Sequence, residues 1–199
     1  MKQYPSIRVA DLDFSKSYYV FDKIDGSNVR VEWSKKAGFH KFGTRKVLLS
    51  ENSIIAPAKD LVLAIGPELE KGMKELRVQQ ATFFFEFAGD ESIAGQHRLM
   101  NDNKRVWLLD VDIYKQGMLD PKECLKHFEP LMPKLLHHGT VDQNFLDSVA
   151  DRTLPGMTWE GVVGKAYGGR QKPLLMWKYK SRDWKDFVRA MYGDNCDAL

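Results

Sequence analysis

The stretch around Lys23 constrains the fold more than any other part of the chain, because two strand patterns flank a tight turn there. Residues 18–21 (Tyr-Tyr-Val-Phe) have the aromatic and β-branched character of a strand, and residues 29–33 alternate apolar with polar side chains. Between them, residues 23–28 have the sequence Lys-Ile-Asp-Gly-Ser-Asn, in which Gly26 permits a sharp turn and close approach of a ligand to the backbone. The pattern predicts a strand–turn–strand unit that holds Lys23 beside a carboxylate.

A lysine held in this way is a candidate nucleophile, although its ammonium must first lose a proton. Neighbouring positive charge favours that loss, and the strand-like residues 174–180 (Leu-Leu-Met-Trp-Lys-Tyr-Lys) supply it. Because side chains alternate along a strand, Lys178 and Lys180 share one face and repel each other unless an anionic ligand lies between them. The alternative is an edge strand whose lysines lie in water and discourage edge-to-edge pairing.

Two further strand patterns carry an acidic residue among apolar neighbours. Glu86 lies within the phenylalanine-rich residues 83–89, and Glu160 opens the sequence Glu-Gly-Val-Val-Gly-Lys. A carboxylate in such a strand requires a partner, namely a ribose hydroxyl, a cation or a basic side chain. The alternatives are a structural salt bridge at Glu86 and a bulged strand with Glu160 in water.

The composition is that of a folded globular chain, with 43% hydrophobic and 12% aromatic residues among 199. This length suits one well-buried domain, no apolar run reaches membrane-spanning length, and the N-terminus lacks a signal-peptide pattern. Cys124 and Cys196 lie far apart in the sequence, and the five histidines lack zinc-ligand spacing. We therefore expect surface or packing histidines, a reducing cytoplasmic setting and no zinc site.

Positive charge is unevenly distributed. The net charge of +3 excludes a generic polycation, but residues 165–189 contain eight Lys or Arg and only two Asp. Trp177, Tyr179 and Trp184 are interleaved with these cations, a pattern suited to tracking a phosphate backbone and stacking on bases. The alternative is a solvated basic strand and helix face.

Along its length the sequence predicts an α+β fold in which antiparallel sheets are flanked by helices. Hairpin-like strands are predicted within residues 18–49, with further strands near 82–88, 105–114, 159–167 and 173–180. Helices are predicted at 57–80 with a break at Gly66 and Pro67, from Pro121 through Leu135, at 143–150, and at 182–192. A polar turn is predicted at residues 137–139.

The order of the motifs is more specific than any one of them. Four motifs follow one another along nearly the whole chain: Lys-x-Asp-Gly-x-Asn, Phe-x-Glu-Phe, Glu-Gly-Val-Val-x-Lys and Lys-x-Lys. In this order they resemble the covalent nucleotidyltransferase superfamily of polynucleotide ligases and mRNA capping enzymes. Asn28 resembles the RNA ligase 2-like members, because DNA ligases and capping enzymes generally have Arg there. The resemblance implies a single nucleotidyltransferase domain over residues 1–199, without the oligonucleotide-binding barrel of larger family members.

The resemblance also implies an activity, that of an ATP-dependent RNA ligase. Lys23 would attack the α-phosphorus of ATP, AMP would pass to an RNA 5′-phosphate, and a 3′-hydroxyl would displace it to seal the strand. The implied catalytic residues are Lys23, Lys178 and Lys180, with Glu160 as a ligand of Mg²⁺, for which Mn²⁺ may substitute. The implied nucleotide-binding residues are Lys23, Asp25, Gly26, Asn28, Arg45, Glu86, Glu160, Lys178 and Lys180. The implied partners are RNA ends, and the resemblance implies no membrane partner.

Some alternatives stay open at the level of sequence. A DNA ligase or cap guanylyltransferase is favoured by Asp25, where many RNA ligases carry His, and a catalytically idle nucleic-acid-binding module is a third possibility. The position at which the family stacks an aromatic residue on the base falls on Leu109 or Val111. The acidic residue that follows it in the family is Asp110 or Asp112.

Overall fold

Two antiparallel sheets, one in each of two units, organise the chain. The structure is a computed structural model that describes residues 2–8, 11–51, 53, 55–89 and 104–193. The first unit comprises Met1–Ser6, Asp25–Pro133 and Tyr167–Leu174, and the second comprises Ile7–Ile24, Lys134–Ala166 and Leu175–Leu199.

The strands and helices of the described residues are numbered in chain order. The strands are β1 (Tyr18–Lys23), β2 (Ser27–Ser34), β3 (Gly38–Thr44), β4 (Gln80–Ala88), β5 (Arg105–Ile113), β6 (Gly117–Met118), β7 (Leu135–Gly139), β8 (Gly161–Ala166) and β9 (Leu175–Lys180). The helices are α1 (Ala58–Ala64), α2 (Gly66–Glu75), α3 (Pro121–Phe128), α4 (Gln143–Ala150) and α5 (Arg182–Tyr192), with a short 3₁₀ turn at Glu129–Leu131.

The first unit contains a five-stranded sheet of order β3-β2-β4-β5-β6. Phe83 and Phe85 of β4 are fully buried, and the Phe83 ring meets Phe128 of α3 edge to face, with centroids 6.4 Å apart. Helix α2 packs beside α3 because Gly72 leaves room for that ring: a Cβ on Gly72 would lie 2.2 Å from Phe128. Aromatic packing between the sheet and these helices therefore forms the core of this unit.

The second unit contains a four-stranded sheet of order β7-β1-β8-β9. Its core combines Tyr18 of β1 and Trp177 of β9, whose rings meet edge to face, with Leu146 and Val149 of α4. Gly164 of β8 is paired with Trp177, whose ring occupies the space that a side chain at position 164 would fill. Helix α4 thus packs against this sheet and completes its core.

The predicted α+β class is confirmed, and several boundaries agree with the sequence pattern. Helix α4 covers residues 143–150 and α5 covers 182–192, as expected from their apolar spacing. The predicted break at Gly66 and Pro67 separates α1 from α2, although α2 ends at Glu75 rather than near residue 80. Among the described residues, no helix is both long enough and apolar enough to cross a membrane.

The prediction for residues 129–139 is wrong. The helix that begins at Pro121 ends at Phe128, because Pro130 and Pro133 lack the backbone N–H needed to continue it. Residues 135–139 form strand β7, which pairs antiparallel with β1, instead of a helix end followed by a polar turn. Long-range strand pairing, with Tyr19 stacked on His138 at 4.0 Å between ring centroids, outweighs the local apolar spacing.

The hairpin expected within residues 18–49 is formed by β2 and β3 and does not include β1. β1 and β2 do follow each other through a short turn, but they belong to different sheets and do not form a hairpin. β1 pairs with β7 and β8, whereas β2 pairs with β3 and β4. The turn after Lys23 is therefore a crossing between sheets.

We expect Gly164→Ala to lower the free energy of unfolding by about 1–3 kcal/mol, because overpacking of a filled core forces side chains off their preferred rotamers. A Cβ at this position would lie 2.2 Å from Cε2 of Trp177. Urea unfolding followed by circular dichroism measures the loss. The double variant Gly164→Ala/Trp177→Phe should lose less than the sum of the two single variants; strict additivity would contradict the proposed contact.

Candidate active site

Three adjacent strands of the second unit place Lys23 and Lys180 in one row. Gly161 of β8 pairs with Lys23 of β1 on one side and with Lys180 of β9 on the other. Residues directly opposite in antiparallel strands direct their side chains to the same face. The two lysines therefore flank a glycine, which places no side chain between their ammonium groups.

Glu160, the residue before β8, occupies the space between the two lysines. Lys23 Nζ donates to Glu160 Oε2 at 2.7 Å, and Lys180 Nζ lies 2.9 Å from Glu160 Oε1. The side chains of Glu160 and Lys180 are 4% and 9% exposed, and that of Lys23 is 21% exposed. One carboxylate thus serves two cations, and Lys23 is the more accessible of the pair.

Hydrogen bonds from Ser181 fix the main chain of Glu160 and of the residue before it. Ser181 N donates to Glu160 O at 2.9 Å, and Ser181 Oγ donates to Trp159 O at 2.8 Å. The same hydroxyl caps α5 by accepting from Trp184 N at 3.2 Å. A Cβ on Gly161 would lie 2.1 Å from Tyr179 O, so only glycine permits this close strand pairing beside Glu160.

Lys180 has an unusual environment for a lysine. Its Nζ lies 3.4 Å from the centroid of the Trp184 ring, a cation–π contact. The pKa of Lys180 is lowered from 10.5 to about 8, chiefly by burial; the charges of Lys23 and Lys178 act in the same direction, and Glu160 opposes the shift. Lys178, two residues away on β9 and half-buried, therefore contributes electrostatically to the same cluster.

A second buried carboxylate supports the strand that carries Lys23. Asp22 is 3% exposed and accepts from Thr158 N at 3.0 Å and from Thr158 Oγ1 at 2.8 Å. Burial raises the pKa of Asp22, and these two hydrogen bonds oppose the shift. The contact joins the end of β1 to the segment that leads into Glu160.

In the first unit, Gly26, Asn28 and Glu86 come together at one end of β2 and β4. Asn28 and Glu86 are opposite each other in register, and a Cβ on Gly26 would lie 2.4 Å from Phe87 O. Asn28 Nδ2 donates to Phe85 O at 3.2 Å. Asn28 Oδ1 is buried and has no hydrogen-bond partner among the described residues, which marks this end of the sheet as a polar position that a ligand would satisfy.

Arg45 lies in a different part of the first unit, just after β3. A further turn follows β3, in which Thr44 N donates to Val47 O at 2.8 Å. Arg45 Nη2 donates to Ser6 Oγ at 2.8 Å, and the side chain is exposed. The guanidinium is thus held at the surface with donors left for an anion.

The structure distinguishes between the residues of β5 that the sequence left as alternatives for stacking on the base. Val111 is fully buried, whereas Leu109 is half-buried at a β-bulge opposite Phe84 and Phe85, so Leu109 is the better candidate to contact a base. Asp110 accepts from Tyr4 Oη at 2.5 Å, and Asp112 pairs with Lys2 at 2.5 Å. Both carboxylates therefore hold the N-terminal segment.

The structure describes His40, His127, His137, His138 and Cys124, whereas His97 and Cys196 lie outside the described residues. His127 and Cys124 belong to α3, where Cys124 is buried and His127 Nδ1 lies 2.8 Å from Glu75. Within the described ranges, no group of three His, Cys, Asp or Glu side chains is arranged to hold a metal ion. A divalent cation would therefore depend on one or two carboxylates, such as Glu160, with water or phosphate oxygens as its other ligands.

Sequence reasoning missed Asp22 and Ser181, and it assigned Trp184 to base stacking, whereas Trp177 and Trp184 are buried. Ser181 carries a recognisable signal, since a serine immediately before a predicted helix is a favoured N-cap. Trp184 then falls one helical turn later, but only the structure shows its ring against Lys180. Asp22 gives no local signal, because its partner Thr158 is 136 residues away.

We expect the free energy of unfolding to rise between about pH 8 and pH 10.5, because the folded chain releases the Lys180 proton first and the unfolded chain then binds more protons. By linkage the rise amounts to about 3 kcal/mol at most. Urea titrations across this range, with Lys180→Met as the variant, measure it. Lys180→Met should flatten the curve, while Lys36→Met, at an exposed turn, should leave it unchanged; an equal slope in both variants would remove Lys180 as the cause.

No family model matches this chain, and no curated protein is similar to it in sequence. Solved structures do match it. Naegleria gruberi RNA ligase with PPi aligns with a TM-score of 0.69 at 16% identity, over 96% of this chain and 58% of the ligase. Two mutants of that ligase, one with ATP and Mn and one with AMP and Mn, align with TM-scores of 0.69 and 0.68 at 17% and 16% identity.

Both mutant structures cover 94% of this chain and 58% of the ligase, so the chain spans less than two thirds of the protein that it matches. At this level of identity the likeness concerns the fold. The chain has the α+β class that the sequence predicted, and its two antiparallel sheets with flanking helices are similar in fold to Naegleria gruberi RNA ligase.

Proposed function

We propose that this chain is an ATP-dependent RNA ligase whose nucleophile is Lys23. The observation that carries the proposal is the cluster in which Lys23 and Lys180, from separate strands, share Glu160 at 2.7 and 2.9 Å. Two lysines at one buried position repel each other, and an anionic substrate bound between them would offset that repulsion. The order of the motifs and the likeness of the fold to an RNA ligase support the same function.

Lys23 would act in its neutral form. It must leave its ion pair with Glu160, release a proton and attack the α-phosphorus of ATP. A nitrogen–phosphorus bond then forms as the bond to the pyrophosphate oxygen breaks, which leaves AMP on Lys23. Of the two lysines that contact Glu160, Lys23 has the greater exposure, so it is the one that a nucleotide reaches.

Lys178 and Lys180 would hold the α-phosphate on the same strand face. Phosphoryl transfer depends mainly on positioning and charge neutralisation, and two cations beside the nucleophile supply both. Their charge also disfavours the ammonium form of Lys23. Trp184 and Glu160 keep Lys180 in place between them.

A divalent cation fits this cluster only as a partner of Glu160 and phosphate oxygens. Mg²⁺ typically uses one or two carboxylates together with substrate phosphates, which agrees with Glu160 as a protein ligand. When bound, Mg²⁺ or Mn²⁺ would neutralise charge on the phosphates. The Naegleria ligase is solved with ATP and Mn, which supports this assignment.

Residues of the first unit would bind the remaining parts of the substrates. Glu86 would accept hydrogen bonds from ribose hydroxyls, and Asn28 has an unsatisfied buried oxygen available for a donor. Gly26, next to Asp25, keeps the turn after β1 free of side-chain bulk. Arg45, exposed beside Ser6, would engage the phosphate of the reacting RNA end.

After adenylylation, AMP would pass to the 5′-phosphate of an RNA, and the 3′-hydroxyl of the adjoining strand would displace it. Two observations favour RNA over DNA as the polymer. One is Asn28 in the Lys-x-Asp-Gly-x-Asn motif, and the other is the likeness of the fold to an RNA ligase. The proposed domain is a nucleotidyltransferase core.

We expect Lys23→Ala to abolish transfer of label from [α-³²P]ATP to the protein, because no other side chain takes the role of nucleophile. Denaturing gel electrophoresis after incubation with Mg²⁺ measures the transfer. Lys23→Arg should be equally inactive, since a guanidinium stays protonated at neutral pH. Lys185→Ala, an exposed change on α5, is the matched control and should label normally; acid-labile AMP on the Lys23→Ala protein would contradict the mechanism.

We expect the enzyme to seal an RNA 3′-hydroxyl end in preference to a DNA end, because the 2′-hydroxyl and the A-form duplex it imposes distinguish the two polymers. Matched nicked duplexes that differ only in the two sugars before the joint test this, with pre-adenylylated 5′ strands to isolate the last step. Equal sealing of the deoxy substrate would favour a DNA ligase. Labelling by GTP but not ATP would favour a capping enzyme.

A further inference from the structure

Two loops of the first unit are joined at the outer edge of its sheet. One is the turn between β5 and β6, and the other is the segment Tyr167–Leu174, which follows β8. Gln171 N donates to Gln116 O at 3.2 Å, and Gln171 Nε2 donates to Lys115 O at 3.3 Å. These contacts attach the second loop to the main chain of the first.

Each loop is also fixed internally. Gln116 N donates to Ile113 O at 2.9 Å, and Lys172 N donates to Gly169 O at 3.1 Å. The backbone folds tightly at Gly168, where a Cβ would lie 2.2 Å from Pro173 O. The side chains on these loops are therefore presented by an ordered backbone, and the backbone loses little freedom when a partner binds.

The exposed side chains of the two loops have one consistent chemistry. We call the surface formed by Tyr114, Lys115, Tyr167, Arg170 and Lys172 the loop platform. Tyr114 and Tyr167 are 59% and 46% exposed, and Lys115 Nζ lies 5.3 Å from the centroid of the Tyr114 ring. Exposed aromatics next to cations suit a polymer of stacked bases and phosphates.

Within the part of the chain that the structure describes, no acidic residue neutralises this surface. Residues 113–117 and 167–173 contain no Asp or Glu. Among the carboxylates of the described residues, none forms an ion pair with Lys115, Arg170 or Lys172. By contrast, Arg152 is paired with Asp183, and Arg189 is paired with Asp186. These three cations make the platform complementary to a polyanion.

The length of β5 gives the distance between the loop platform and Glu86, which is proposed to bind the ribose. Glu86 is opposite Trp107 on β5, and Tyr114 lies seven residues further along the chain. Seven residues of strand span about 23 Å. A duplex rises about 3.4 Å per nucleotide step in DNA and somewhat less in A-form RNA, so this corresponds to roughly seven or eight nucleotides.

We propose that the loop platform binds the sugar–phosphate backbone of the RNA substrate about seven or eight nucleotides from the nucleotide held at Glu86. This inference rests on the proposed ligase function. Lys115, Arg170 and Lys172 would contact phosphates, and the two tyrosines would pack against sugars or unpaired bases. The platform contributes to RNA binding and takes no part in the reaction of Lys23 with ATP.

The test compares the triple variant Lys115→Ala/Arg170→Ala/Lys172→Ala with Lys36→Ala/Lys71→Ala/Lys74→Ala, which removes the same charge from other exposed positions of the first unit. Fluorescence anisotropy of labelled nicked RNA duplexes, at several salt concentrations, gives the affinity. The platform variant should reduce the slope of log K against log salt by about 3, one for each lost phosphate contact. The control variant should leave the slope nearly unchanged.

Substrate length provides a second measurement. Wild type should bind a duplex with arms of about 14 base pairs more tightly than one with arms of about 4, which cannot reach the platform. The platform variant should lose this preference. Tyr114→Ala/Tyr167→Ala should weaken binding without changing the salt slope, because stacking releases no counterions.

Self-adenylylation, measured in parallel without RNA, separates the two proposals. Normal labelling with an unchanged salt slope and unchanged length preference in the platform variant would overturn the platform and leave the ligase function intact. An equal loss of slope in the control variant would also overturn it, since binding would then follow net charge alone. Failure of wild type to label with AMP would count against the ligase function whatever the RNA result.

Discussion

The carboxylate of Glu160 is the interaction on which the second unit depends. It holds ammonium groups from two strands that are not neighbours, at 2.7 and 2.9 Å, in a position that is almost fully buried. A buried carboxylate with one cation removed, or two buried cations without their carboxylate, would leave an uncompensated charge, which costs several kcal/mol. The cluster is therefore stable only with all three side chains. Repulsion between the two lysine ammonium groups remains as an unfavourable interaction.

The backbone around Glu160 explains how so dense a charge cluster is built. Gly161 removes the side chain that would separate Lys23 from Lys180, and Ser181 ties both Trp159 and Glu160 to the start of α5. The same helix brings Trp184 against Lys180. The N-cap of α5 and the position of Glu160 thus depend on the same serine, Ser181. A change that displaces Ser181 would therefore alter both.

Much of this arrangement was predictable from the sequence, because alternation along strands reports which side chains share a face. That rule placed Lys178 and Lys180 together and identified Glu86 and Glu160 as acidic residues in strand patterns. It failed at residues 135–139, where an apolar helical spacing is overridden by pairing with β1. It also gave no indication that β1 and β2 diverge into different sheets, since local pattern shows that a strand exists and not which strand it will pair with. Contacts such as that of Asp22 with Thr158 join residues far apart in sequence, and no local signal reports them.

The strand that carries Lys23 has partners only from much later in the chain. Within the described sheet, β1 lies between β7 and β8, whose residues begin at Leu135 and Gly161. Loop-closure entropy must be overcome before such distant segments meet, and folds rich in non-local pairing form slowly. During synthesis β1 emerges before its partners, and both of its edges lack those partners until more than a hundred further residues have followed it. Strand β1, which carries Lys23, is consequently among the last parts of its sheet to be completed and, until then, the part most exposed to pairing with another chain.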